Sequence, residues 1–336
     1  MKVLRLKNPP SVIGYAAVVG GKEYEGPLGA DFDLHDETSE FGMDTWEKSE
    51  SEMQRLALNL ALSKGKCGTD VPQAIFAGDL MNQCTGSAYG LLGFGKPYFG
   101  LYGACSTFAE ATVLSSLLIS AGYFENAAVI SSSHFCSAER QFRFPLEYGG
   151  QRAPTAQWTA TAAGAAILSA QGDGPYVTEV LPGTIVDKGI NDVNNMGAAM
   201  APAAIDPLTS YFTETGKNPD DFDLILTGDL GMEGHSITLE LMKENGYDLT
   251  GVYNDCGLLL YGCDSQDVHC GGSGCGCSAS VICGHILKRF AKGELKNVLY
   301  LATGALMSPG SLKQGASIPG IAHLVHFSAD KPHKEE

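Results

Sequence analysis

Apolar, β-branched runs alternate along this chain with longer amphipathic stretches. The runs Val12–Val19, Ala74–Asp79, Tyr98–Tyr102, Ala127–Ser132 and Thr159–Ser169 predict strands. A second series follows at Val177–Asp187, Phe222–Asp229, Cys256–Tyr261, Val298–Thr303 and Ile321–Phe327. Between them lie helical patterns. In Thr45–Lys64 the apolar positions Met53, Leu56 and Leu60 fall at helical spacing, and Asp44 with Glu47 three residues on predicts a capping-box start. Phe108–Ala121 is nearly all apolar or small, which predicts a helix buried on every side. Ser278–Lys292 carries Val281, Ile282, Ile286, Leu287 and Phe290, with basic residues near its C-terminal end, where the helix dipole favours them. Strands alternating with helices predict an α/β architecture whose sheets are covered by helices.

The chain also resembles itself. Ala74–Leu80 (AIFAGDL) matches Leu224–Leu230 (LILTGDL), each an apolar strand ending in Gly-Asp-Leu. Gly103–Ser106 (GACS) opens an apolar helix that ends at Gly122, followed by Asn126 and a strand. Gly274–Cys277 (GCGC) opens a helix that ends at Gly293, followed by Asn297 and a strand. Gly122 matches Gly293 and Asn126 matches Asn297 at one offset, which pairs Cys105 with Gly276 and sets Cys275 and Cys277 on either side. Two matched strand–turn–helix units in the same order predict a duplicated fold. Its halves are 1–172 and 173–330, and the charged tail 331–336 is expected to be disordered.

Composition narrows the function. Lys and Arg total 22 against 38 Asp and Glu, a net charge of −16, and the pI is near 4.8. Such a chain has no basic surface to displace counterions from phosphate, so a nucleic-acid partner is excluded. No apolar run approaches the ~20 residues that span a bilayer, and the opening MKVLRLKNPP lacks a signal-peptide core. Membrane association is therefore expected only through a partner. A chain of 336 residues needs no disulfide staples, so its ten cysteines are expected to be free thiols in a reducing interior.

Cys105 is the first chemical candidate. It falls in a run of small residues between a predicted strand and a buried helix, where unpaired N–H groups and the helix dipole favour a thiolate and a neighbouring oxyanion; a small buried hydrophobe at a tight turn is the plainer alternative. Asp79 and Asp229 end equivalent strands. They would either cap the next helix or bind a cation or pocket group, with Asn82 and Gln83 close behind Asp79. The segment His134–Gln151 is long and rich in arginine and aromatics, as functional or interface loops are. His134 follows directly on a strand and is placed to face a pocket. Arg140 and Arg143 lie three apart with Phe142 and Phe144 interleaved and offer bidentate cationic contacts to a ligand; pairing with Glu139 and Glu147, or crossing a dimer interface, is the alternative. Cys263, Cys270, Cys275, Cys277 and Cys283 lack the paired spacing of zinc knuckles, so no metal site is expected. Gly271–Gly276 has neither the lysine nor the spacing of a nucleotide-binding loop and reads as a tight turn.

The Ala-Cys-Ser turn of a duplicated α/β half resembles the thiolase and β-ketoacyl synthase fold. Nearly the whole chain is similar to the stage V sporulation protein AD family of spore-forming bacteria. The resemblance rests on Gly26–Gly29, Phe76–Leu80, Leu101–Thr107, Ser132–Arg143, Glu147–Gln151, Met200–Ala204, Asn254–Gly257, Gly271–Cys275 and Ala302–Ala305. It implies a thiolase-like fold of two similar halves, with mixed β-sheets sandwiching buried helices and one pocket where the halves meet. It further implies a homodimer without cofactor that binds dipicolinic acid. Such a protein would be a soluble component of a membrane transport assembly, on the cytoplasmic side of the forespore inner membrane beside other stage V sporulation membrane proteins. The ligand-binding candidates are Cys105, His134, Arg140, Arg143, Asp79, Asn82, Asp229 and Cys275. A −16 chain repels a dianion, so either local arginines overcome that field or the ligand arrives as its neutral calcium chelate. The alternatives are an acyltransferase with Cys105 as nucleophile and a scaffold with a vestigial pocket. Condensing enzymes of this fold also need a second-half His and a further His, Asn or Cys. Here Asp229 stands where that His is expected, Cys275 lies near the slot of the Asn, and no Gly-His-Pro segment exists. His235, His269 and His285 are the nearest histidines; His269 is a candidate to face the site, and His285 reads as a helix-packing or surface residue.

Overall fold

The apolar runs become strands because both of their faces are covered. Every residue of Ala74–Gly78 and of Ala162–Ser169 is buried, a pattern that only a sheet with helices on each side produces. The computed structural model describes residues 2–142 and 151–331. The first half of the chain contributes β1 (Leu4–Arg5), β2 (Ser11–Gly20), β3 (Leu34–Asp36), β4 (Ala74–Gly78), β5 (Tyr98–Gly100), β6 (Asn126–Ser133), β7 (Trp158–Thr159) and β8 (Ala162–Ser169). The second contributes β9 (Tyr176–Leu181), β10 (Leu224–Thr227), β11 (Tyr253–Asp255), β12 (Gly272–Ser273), β13 (Asn297–Ala305) and β14 (Gly320–Ser328).

Five strands in each half follow one pattern. β4 runs parallel to β5 and β6, β6 is antiparallel to β8, and β8 is antiparallel to β2. Likewise β10 runs parallel to β11 and β13, β13 is antiparallel to β14, and β14 to β9. The expected two mixed sheets are joined edge to edge, where Ser11 of β2 pairs with Tyr176 of β9, giving the path β11-β10-β13-β14-β9-β2-β8-β6-β4-β5. β7 and β12 form a small separate ribbon.

Helices fill the layers. Thr107–Ser120 packs on β4 and β6 on one side and on β13 and β14 on the other. The helix beginning at Cys275 packs on β2, β6 and β8 and on Thr107–Ser120. Trp46–Lys64 covers the outer face of the first half, and Met196–Thr215 packs on β13 and β14. The fold is the thiolase-like α/β sandwich expected from the sequence.

Some local expectations fail for physical reasons. Cys256–Tyr261 is not a strand: Cys256–Leu260 is a helical turn, capped by the Asp255 carboxylate, which accepts from the Gly257 N–H at 3.0 Å. The strand is the short β11 just before it. Trp46–Lys64 is capped by Thr45 rather than Asp44, with the Thr45 hydroxyl accepting from the Lys48 N–H. β9 stops at Leu181, because Pro182 cannot donate to a ladder. Thr159–Ser169 divides into β7 and β8. Among the described residues no helix is long and apolar enough to cross a membrane, and all ten cysteines are free.

Candidate functional site

Cys105 lies in the short 3₁₀ turn Ala104–Ser106 that feeds the helix Thr107–Ser120. The turn is strained. Ala104 has φ 52°, a left-handed conformation that costs a non-glycine residue on the order of 1 kcal/mol or more. Two hydroxyls hold it, Thr107 Oγ1 donating to the Ala104 carbonyl at 2.7 Å and Ser106 Oγ to the Gly103 carbonyl at 2.6 Å. The end of β13 closes on this turn. A Cβ on Gly304 would sit 2.4 Å from the Gly103 carbonyl oxygen and 3.1 Å from the Ser106 nitrogen, so only glycine fits there. The two halves therefore meet at Cys105.

Asp229, one residue past Gly228 at the end of β10, enters the same junction. Its carboxylate accepts from Thr303 Oγ1 at 2.7 Å, the Gly274 N–H at 3.1 Å and Ser273 Oγ at 3.3 Å, and the Cys105 thiol lies close enough to feel its charge. Burial and the Asp229 charge both push the Cys105 thiol well above its ordinary range. Burial also raises the Asp229 acid, against the pull of these donors. Cys105 therefore stays a thiol beside the Asp229 carboxyl group. A nucleophilic cysteine needs the opposite: a neighbouring cation, or a base that leaves as a cation.

Cys275 completes the cluster. It opens the helix Cys275–Val281, is fully buried, and donates from Sγ to the Ser132 carbonyl at 2.9 Å. Gly274 before it has φ 100°, and a Cβ there would approach Ser133 Oγ to 2.6 Å. Leu80, Cys105, Ala138, Phe142 and Cys275 pack as one small apolar cluster. Above it is a narrow pocket of about 50 Å³, walled by Cys105, Phe142, Met196, Ala305 and Met307, with Glu139, Thr159 and Ser273 as its polar edge. Glu139 accepts from Thr159 Oγ1 at 2.8 Å.

The structure brings Cys105, Asp229 and Cys275 together and directs the other candidates elsewhere. Asp79 turns back into its own half, accepting from the Met81 N–H, the Ser87 N–H and the Ser87 hydroxyl at 2.9, 2.7 and 2.6 Å. Buried Glu50 lies beside it, its acid pushed up to about 8 by burial and the Asp79 charge. Asn82 is exposed and pairs with Gln141. Arg140 pairs with Glu47, from a distant helix, and lies over the Trp46 ring, outside the Cys105 pocket; Glu147 lies outside the described residues. Arg143 lies outside the described residues.

His134 borders a different pocket. Its Nδ1 accepts from the Cys136 N–H, so Nε2 carries the proton and donates to the Ser39 carbonyl at 3.0 Å, and burial lowers its basicity. The three other candidate histidines make their contacts elsewhere. His235 stacks on Tyr253, His269 binds the Ala153 carbonyl and Asp267, and His285 pairs with Asp31. Thr303, Ser273 and Glu139 are the site residues that the sequence reading does not single out. Each lies in a segment that carries the family resemblance, Ser132–Arg143, Gly271–Cys275 or Ala302–Ala305, which is the signal that points toward them.

The sandwich matches solved condensing enzymes. Over 95% of this chain, 3-oxoacyl-[acyl-carrier-protein] synthase III from Aquifex aeolicus superposes with a TM-score of 0.57 at 12% identity, covering 99% of that chain. A variant of OleA from Xanthomonas campestris superposes with a TM-score of 0.61 at 12% identity, over 95% of this chain and 98% of that one. At such identities the likeness is one of fold. In sequence, stage V sporulation protein AD of Bacillus subtilis (strain 168) is 41% identical over 321 residues, 96% of this chain and 95% of that protein. A profile of the family described as stage V sporulation protein AD matches residues 1–328. The chain belongs to the stage V sporulation protein AD family, built on the thiolase-like fold.

Proposed function

We propose that the Cys105 pocket is a binding site rather than a reaction centre. It takes dipicolinic acid as its calcium chelate, and the protein serves as the soluble component of an assembly that moves this ligand into the developing spore. The observation that carries the reading is the Cys105–Asp229 contact. An acid in the place of the general base keeps the thiol protonated, which leaves a shaped pocket without a nucleophile. The form of the ligand follows from charge. Asp229 and Glu139 make the junction acidic, and Arg140 is committed to Glu47, so the neutral one-to-one chelate is favoured over the free dianion. At about 50 Å³ the pocket must widen to accept such a ligand, and Met196, Met307 and Phe142 are the side chains able to swing away.

The partners follow from the same reading. We place the protein on the cytoplasmic side of the forespore inner membrane, held there by other stage V sporulation membrane proteins. A homodimer would form along β5, one of the two end strands of the long sheet, where Tyr98 and Phe99, with Tyr102 just beyond the strand, are 39, 43 and 48% exposed. Calorimetric titration with dipicolinate, with and without calcium, tests the ligand assignment. Saturable binding that needs calcium and is lost in Cys105→Met, which fills the pocket, is the expected result. Absence of binding in both conditions overturns it.

A further inference from the structure

A second pocket of about 230 Å³ lies where His134 and the segment Lys22–Glu40 face each other, apart from Cys105. Both tryptophans of the chain, Trp46 and Trp158, line it. The Lys22 ammonium rests 4.0 Å from the centre of the Trp158 ring and forms no ion pair among the described residues. Arg152, which pairs with Asp267, lies over the same ring at 4.7 Å, and Phe135 stacks on it at 3.8 Å. In a chain of net charge −16, such positive charge over an indole beside a cavity calls for an explanation.

Glu23 adds a second, independent observation. It is 1% exposed and borders the pocket. Its Oε1 receives both the Tyr261 hydroxyl and the Thr161 N–H, while Oε2 is buried with no partner among the described residues. Burial raises the acid, so Glu23 tends to keep a proton, and with two donors already on Oε1 that proton belongs on Oε2. A buried O–H without an acceptor is costly unless something completes it. Glu40 at the exposed rim is the one other acid bordering the cavity.

We infer that this pocket is a second ligand site, which takes a small planar aromatic carboxylate. The carboxylate bridges the Lys22 ammonium and Glu23 Oε2, and the ring lies among the indole walls. The inference goes beyond the function proposed above and does not rest on it.

The test uses pyridine-2-carboxylate as probe, in EDTA so that no calcium chelate forms, and reads tryptophan fluorescence of the full chain. Because both tryptophans border the pocket, saturable quenching reports occupancy directly. The dissociation constant should rise at least about tenfold in Lys22→Met and in Glu23→Ala, the scale of one charge-assisted hydrogen bond, stay near the wild-type value in Glu23→Gln, whose amide keeps a donor in that place, and stay unchanged in Cys105→Ala. Lys22→Met alters a partly exposed side chain, so its folding is not at stake. The proposal is overturned if the wild type shows no saturable quenching, if Lys22→Met binds as tightly as wild type, or if Cys105→Ala abolishes binding. Failure of calcium–dipicolinate binding at Cys105 would leave it standing.

Discussion

The two strands that end in Gly-Asp-Leu carry the same acid to equivalent places and use it differently. After β4, Asp79 folds back onto the Met81 and Ser87 amides and serves its own half. After β10, Asp229 reaches across to Thr303, Gly274 and Cys105, where the halves meet. The repeated sequence fixes the backbone path, and the donors within reach decide what the carboxylate does. Ser87 lies eight residues beyond Asp79 and supplies two donors, an N–H and a hydroxyl. No such local pair satisfies Asp229, which takes its donors from β12, β13 and the turn before Cys275.

The largest expected effect comes from breaking the junction itself. Gly304→Val drives a side chain into the Gly103 carbonyl and the Ser106 backbone, and should lower unfolding free energy by roughly 3 kcal/mol or more, read as a fall in denaturation midpoint. Next comes the acid pair. Asp79→Ala strands two buried amides and should cost about 2–4 kcal/mol. Asp229→Asn keeps an acceptor in place and should cost less, about 1 kcal/mol, yet it removes the charge that raises the Cys105 thiol. Alkylation of Cys105 at neutral pH should then become faster than in wild type, while Asp79→Ala leaves it slow. Equal stability losses with unchanged alkylation would dissolve the distinction between the two acids.

A pH measurement sharpens the picture of the inward-facing acid. Glu50 is buried against Asp79 and its acid is raised from 4.5 to about 8. Below about pH 4.5 both folded and unfolded chains hold this proton. Between there and about pH 8 only the unfolded chain ionises, so stability falls as pH rises through that window and levels off above it. Glu50→Gln should flatten this part of the profile, on the order of a few kcal/mol across it, as followed by melting temperature. A slope of the same size in the variant would refute the assignment. The smallest effect is expected at Arg140. Its pair with Glu47 is about half exposed, so Arg140→Ala should cost no more than about 1 kcal/mol and leave calcium–dipicolinate affinity unchanged.

Much of this arrangement is legible in the sequence. The alternating runs and the doubled Gly-Asp-Leu reveal the α/β class and the duplication, since periodicity and repeats survive tertiary context, and the family resemblance supplies the layers. The Cys105 turn is legible from its small residues and its position between strand and helix. What escapes is set by long-range partners. The helix Met196–Thr215 carries Pro202 and Pro207 and is held by the burial of Met200, Leu208, Tyr211 and Phe212 rather than by propensity. Cys256–Leu260 looks like a strand by composition but coils because Asp255 caps it. Arg140 and His134 sit beside the candidate site in sequence, yet a glutamate from Trp46–Lys64 captures one and the Ser39 carbonyl holds the other. No local pattern announces either partner.

The central claim, that Asp229 holds Cys105 as an inert thiol in a binding pocket, is tested most directly by intact-mass spectrometry after incubation with a short-chain acyl thioester. The account predicts an unmodified mass for the wild-type chain. A stoichiometric acyl adduct, lost in Cys105→Ala, would contradict it and restore the condensing-enzyme reading.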